Sequence, residues 1–190
     1  MDGYDFFPST PEVTEVMLRQ IEERASATLR EKLEAGDVTV LEPSAGDGKL
    51  VDALRARYPN IPESAFTLVE IDSARVMGLR RRYPEADIVH ENFVGWSFDA
   101  YVEGRQYDLV LMNPPLSNEQ GPEHIDNADD LQADNGLLVS VVLGRRTGRS
   151  RFAAKIHQRG GGFAKLPAGA FAPSGTTIYT AVCVLPARAE

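Results

Sequence analysis

Asp108-Leu109-Val110-Leu111-Met112-Asn113-Pro114-Pro115-Leu116 is the stretch on which the reading of this chain turns. After Asp108 its residues are wholly apolar up to Met112, as suits a strand buried on both faces in a parallel sheet. Two consecutive prolines then remove two backbone donors and hold the chain extended, so the strand ends there. Asn113 is thereby confined to the carboxyl end of the strand. In open parallel sheets that end is where ligands bind, near the reversal of strand order.

On either side the chain alternates between strand and helix patterns. Thr10 as N-cap, Pro11 at the first helical position and Glu12 in the first turn open a helix. Val13, Val16, Met17, Ile21, Leu29 and Leu33 continue it at helical spacing, and Gly36 ends it. Residues 38–41, 66–71, 87–90, 107–112 and 136–143 read as strands. Helices are expected with Leu50, Val51 and Leu54 on one face, over 73–82 behind a cap at Asp72 or Ser73, over 124–131 and over 150–158. Residues 163–166 and 176–185 close the pattern, with no helix between them. A parallel return needs a longer crossover, so this last pair should be antiparallel. The expected fold is α/β, a doubly wound and mostly parallel seven-stranded sheet with an antiparallel final strand. It is expected as a single domain over residues 1–190, with 1–36 as an N-terminal helical segment and no second domain.

Two further features fall at strand ends. Glu42-Pro43-Ser44-Ala45-Gly46-Asp47-Gly48 follows the strand at 38–41, and its glycines permit a tight turn and close backbone approach before a helix N-terminus. Val51 stands where a dinucleotide-binding G-x-G-x-x-G would place its third glycine, and there is no Gly-Lys-Ser/Thr of a phosphate loop. Glu70 ends the next strand, where a carboxylate can accept both hydroxyls of an adenosine ribose.

Composition narrows the remaining classes. With 43% hydrophobic and 25% charged residues, the 190-residue chain has the make-up of a water-soluble globular protein. No apolar run approaches the roughly 20 residues of a membrane helix. The acidic start, Met1-Asp2-Gly3-Tyr4-Asp5, does not resemble a signal peptide. Cys183 is the single cysteine, which excludes disulfides within the chain and cysteine zinc sites. His90, His124 and His157 are scattered, so no metal is expected. These features point to an intracellular, cytoplasmic protein. A net charge of −8 argues against a general nucleic-acid binder. Yet Arg145, Arg146, Arg149, Arg151, Lys155, Arg159 and Lys165 follow one another with no intervening acid, either as a solvated face or as phosphate contacts.

Taken in order, these motifs resemble the class I S-adenosylmethionine-dependent methyltransferases that modify exocyclic amino groups. The likeness is greatest to N6-adenine DNA methyltransferases of the short phage and plasmid type, and it covers nearly the whole chain. Phe6-Phe7-Pro8-Ser9-Thr10-Pro11 is similar to their opening motif, and residues 41–48 to their cofactor loop. Val69-Glu70-Ile71-Asp72 is similar to the ribose-binding acid, Asn113-Pro114-Pro115-Leu116-Ser117-Asn118 to the active-site turn, and residues 166–171 to a late motif.

The resemblance implies S-adenosylmethionine as cofactor, with S-adenosylhomocysteine as product. It implies cofactor contacts from Phe6, Thr10, Pro11, Glu42, Pro43, Ser44, Ala45, Gly46, Gly48, Glu70, Ile71, Asn92, Phe93 and Asn113, and catalytic positions at Asn113, Pro114, Pro115 and Leu116. Two positions depart from the family. Asn92 stands where an Asp usually precedes the Phe that ends the third strand. Leu116 stands where an aromatic stacks on the target, an interaction worth roughly 1–3 kcal/mol per base. Trp96, Phe6, Phe7 and Phe171 are candidates to replace it.

The implied partner is nucleic acid, DNA before RNA, contacted through Arg145, Arg146, Arg149 and Arg151 or through a protein that supplies target recognition. Two alternatives stay open. One is methylation of a protein amide or small molecule. The other is a non-catalytic cofactor-binding or interaction protein, favoured by Leu116.

Overall fold

The computed structural model describes residues 8–115, 120–148, 150–167, 169–171 and 179–188. Its elements run α1 (Pro11–Arg24), α2 (Ala27–Ala35), β1 (Val40–Glu42), α3 (Lys49–Arg57), β2 (Phe66–Glu70), α4 (Ser73–Arg82) and β3 (Asp87–His90). They continue as α5 (Phe93–Val102), β4 (Tyr107–Met112), α6 (Gln120–Asp129), β5 (Gln132–Leu143), α7 (Arg151–Gln158), β6 (Gly162–Lys165) and β7 (Thr180–Pro186). The seven strands form one sheet in the order β3-β2-β1-β4-β5-β7-β6. Pairs among β1 to β5 are parallel, whereas β7 runs antiparallel to both β5 and β6. The expected architecture is therefore the observed one, with β7 inserted between β5 and β6 rather than at the edge.

Each face of the sheet is buried, and the two-residue repeat of strands sorts the apolar side chains between them. Val40, Leu68, Leu109, Leu111, Val139 and Val182 join α1 to α4 in one core. Leu41, Val69, Val110, Met112, Leu138 and Cys183 join α5 to α7 in the other. Strand order runs outward from β1 to β3, then restarts at β4 on the other side of β1. The carboxyl ends of β1 and β4 therefore flank the switch point, where the sheet opens to a ligand.

Two local expectations are corrected. The long N-terminal helix is broken: Ala25 is extended, Ser26 is an N-cap accepting from Leu29 N–H at 3.1 Å, and α2 starts afresh. The second correction is α5, a helix not anticipated between β3 and β4. Asn92 caps it by accepting from Val94 N–H at 3.0 Å, and Phe93, Trp96 and Ala100 form its buried side. Phe93 thus opens a helix instead of ending the third strand.

Candidate active site

Three adjacent strands carry the site. Glu42 ends β1 and aligns with Leu68, so Glu70 lies two residues further along β2. On the other side Leu41 aligns with Val110, so Asn113 extends two residues beyond the level of Glu42. Strand spacing then places the Asn113 and Glu42 Cα atoms roughly 8 Å apart.

The loop after β1 is held by backbone bonds and by residues that sequence reading did not single out. Ala45 N–H donates to Val69 O at 3.0 Å, and Gly48 N–H to Ala45 O at 2.9 Å. Gly48 has φ +78°, and a Cβ there would come within 2.7 Å of the Tyr83 ring. Tyr83, 2% exposed at the end of α4, donates its hydroxyl proton toward Gly48 O at 3.0 Å or Asp52 at 2.7 Å. Arg82 adds a bond to Asp47 O. The loop conformation is thus imposed from α4 as well as from its own glycines. Burial, followed by the hydrogen bond that the phenol donates to Asp52, raises the Tyr83 phenol well above its usual range.

Glu70 is buried, and each carboxylate oxygen meets a backbone donor: Gly46 N–H to Oε2 and Asp72 N–H to Oε1, both at 2.8 Å. It thereby ties the Gly-rich loop to the start of α4, with Arg75 3.4 Å away. Ile71, next along, places its carbonyl 3.2 Å from His90 Nε2. Glu42 is different. It is 3% exposed, and its Oε2 has no hydrogen-bond partner among the described residues. Burial raises its carboxyl well above the usual carboxylate range, and Asp47, Glu70 and Asp52 add to the effect. A buried carboxylate among other acids at a strand end suits a positively charged ligand. S-adenosylmethionine, with its sulfonium and ammonium groups, fits this donor set.

The opening motif and the active-site turn meet. Asn113, half-buried, donates from Nδ2 to Ser9 Oγ at 3.1 Å. Thr10 caps α1 through Val13 N–H and donates its own hydroxyl to Ala170 O at 3.0 Å. The start of α1, with Pro11 in its first turn, therefore joins residues 113–115 to the late segment around Ala170 and Phe171. Pro114 is buried and Pro115 half-buried. Phe6, Phe7, Leu116 and Arg149 lie outside the described residues.

Among the aromatics considered for stacking, Trp96 is 6% exposed and Phe171 1%, so both belong to the core. Phe93, 2% exposed, likewise packs inward, with its ring 5.6 Å from that of His124. The basic segment divides in two. Arg145 and Arg146 form a 3-10 turn directly after β5, on the same rim of the sheet as Asn113, and Arg151 is exposed at the start of α7. Lys155 and Arg159 instead face α6, paired with Asp126 and Asp129. Among the described residues no cluster of His, Cys, Asp and Glu could hold a metal ion, and no helix is long and apolar enough to cross a membrane.

Comparison with known structures agrees with this arrangement. The type I restriction-modification methyltransferase subunit of Streptococcus thermophilus superposes on the whole chain with a TM-score of 0.76 at 15% identity, over 46% of its own length. The protein yhhF of Escherichia coli, named as a methyltransferase, superposes with a TM-score of 0.65 at 19% identity, covering all of this chain and 91% of its own. The fold is that of the class I S-adenosylmethionine-dependent methyltransferases. Within the methyltransferase fold, the Gly-rich loop, Glu70 and Asn113 occupy the ends of β1, β2 and β4 around the switch point. In sequence, ribosomal RNA large subunit methyltransferase G of Psychromonas ingrahamii is 30% identical over 122 residues, which are 60% of this chain. The chain spans about a third of the length of that relative, 32%. No family model matches the chain.

Proposed function

We propose that this chain transfers a methyl group from S-adenosylmethionine to an exocyclic amino nitrogen of a nucleic-acid base. The observation that carries the reading is the position of Asn113-Pro114-Pro115 at the end of β4, beside the Gly-rich loop and Glu42. S-adenosylmethionine supplies a sulfonium methyl already activated for transfer, so positioning governs the rate. Residues 43–48 and Glu42 would hold the amino-acid end of the cofactor, Glu70 the ribose, and Asn92 the adenine.

An exocyclic amino nitrogen is a poor nucleophile because its lone pair is delocalised into the ring. The Asn113 side-chain oxygen and the Pro114 carbonyl accept hydrogen bonds from the two N–H groups, which favours a tetrahedral nitrogen aimed at the methyl. The nitrogen forms the new C–N bond as the C–S bond breaks, and it then loses a proton to water. Ser9, by accepting from Asn113 Nδ2, fixes the orientation of the amide. A target within a duplex must be flipped out of its stack.

Adenine N6 in DNA is the target that the Asn-Pro-Pro turn favours. A base in RNA is the second reading, supported by the likeness to a ribosomal RNA methyltransferase. Labelled S-adenosylmethionine offered with DNA, RNA and total protein distinguishes these targets by which fraction gains label. Asn113→Ala should lower methyl transfer about a hundredfold or more, as misplaced reactants do, while cofactor affinity is retained. If the variant loses cofactor binding but transfers normally per bound cofactor, the assigned role is wrong.

A further inference from the structure

Tyr179 is the residue just before β7, and 52% of it is exposed. Its backbone carbonyl accepts from Gly144 N–H at 2.7 Å. The Cδ1–Cε1 edge of its ring lies where a side chain at position 144 would begin: a Cβ on Gly144 would be 1.6 Å from Cδ1. Bare backbone at Gly144 thus seats the ring, while about half of the residue remains open to solvent.

The antiparallel course of β7 brings this ring to the ligand rim. Thr180 aligns with Leu143, and Met112 with Ser140. Tyr179 therefore stands two strands across from Asn113 and about three residues further along, roughly 14 Å between Cα atoms at ordinary strand spacings. Gly144 opens the turn that carries Arg145 and Arg146, and the sequence 144–151 holds four arginines and no acid. An exposed aromatic against an arginine-bearing turn is what a single nucleic-acid strand needs: guanidinium groups for phosphates and a π-face for a base.

We propose that Tyr179, seated on Gly144 beside Arg145 and Arg146, is a stacking platform for an unpaired base flanking the methylated nucleotide. The proposal rests on the nucleic-acid reading above. It supplies an aromatic surface next to the site of a chain whose active-site turn carries Leu116 in place of an aromatic. The ring is too far from Asn113 to stack on the target base, so it holds the neighbouring strand.

The test uses a fluorescent twelve-nucleotide single strand, as DNA and as RNA, with binding followed by anisotropy over a range of salt concentrations. Tyr179→Leu keeps a side chain over Gly144 without the π-face, and Tyr179→Trp keeps both. The leucine variant should bind roughly five- to a hundredfold more weakly, with unchanged salt slope, melting temperature and S-adenosylhomocysteine affinity. The tryptophan variant should bind like the wild type. Arg145→Gln, by contrast, should lower the salt slope, because phosphate contacts release counterions. Wild-type and Tyr179→Leu proteins that bind the strand equally would overturn the platform and leave the nucleic-acid reading standing. A wild type that binds cofactor but neither strand would sink that reading, and the platform with it.

Discussion

At the scale of single residues, Glu42 is where the site works against the stability of its own fold. Burial and neighbouring acids raise its carboxyl, so the folded chain holds a proton at pH values where the unfolded chain has lost it. Stability attributable to Glu42 is therefore fully present below its ordinary value of 4.5 and falls as pH rises through the raised one. Glu42→Gln removes this liability, and the ligand-free variant should melt at a higher temperature than the wild type at pH 8. A cationic cofactor favours the ionised carboxylate, so wild-type affinity should rise with pH across the same window, with release of a proton. The variant should bind more weakly and without this pH dependence. Titration calorimetry in buffers of different ionisation enthalpy measures both effects, and equal proton release by the two proteins would contradict the assignment.

At the scale of elements, the strands and the ligand loop were readable because their signals are local. Residues 109–112 are apolar and are followed, after Asn113, by two prolines, and β3 and β4 fall where their patterns place them. Helix α5 escaped because its outer face is apolar too: Phe98, Tyr101 and Val102 are exposed by 69%, 61% and 69%. They blur the spacing of Phe93, Trp96 and Ala100 on which a helix would be recognised. The break between α1 and α2 rests on one serine cap in a run that otherwise suits a continuous helix. The clamp of Tyr83 on Gly48 was invisible because it depends on the packing of α4 across 35 residues of chain. That clamp makes Gly48 costly to replace. Gly48→Ala puts a Cβ on a left-handed backbone and against a buried ring, and should lower unfolding free energy by about 1–2 kcal/mol from the backbone alone. Denaturant titration checks the stability, and loss of cofactor affinity beyond it would show the loop displaced.

At the scale of the molecule, Asp129 fastens distant parts of the chain. It ends α6 with its side chain wholly buried, and it receives Arg159 from the end of α7, Arg188 from beyond β7, and Lys155. Burial alone would raise its carboxyl, but these cations outweigh it and hold the group below its ordinary value of 3.8. Its contribution is thus present above that value and lost as pH falls through the lowered one. Asp129→Asn should cost about 3–5 kcal/mol at neutral pH, as breaking a buried pair from one side does. The loss of stability between pH 5 and pH 3 should be smaller in the variant than in the wild type. Denaturant titrations at the three pH values provide the measurement. The place of β7 has a separate consequence, for the order in which the chain is made. Strand β6 leaves the ribosome before β7, yet the sheet offers it no partner until residues 180–186 arrive to pair with β5 and β6 together. Until then the outer edge of β5 is an open template, and a nascent chain paused there is exposed to capture by another.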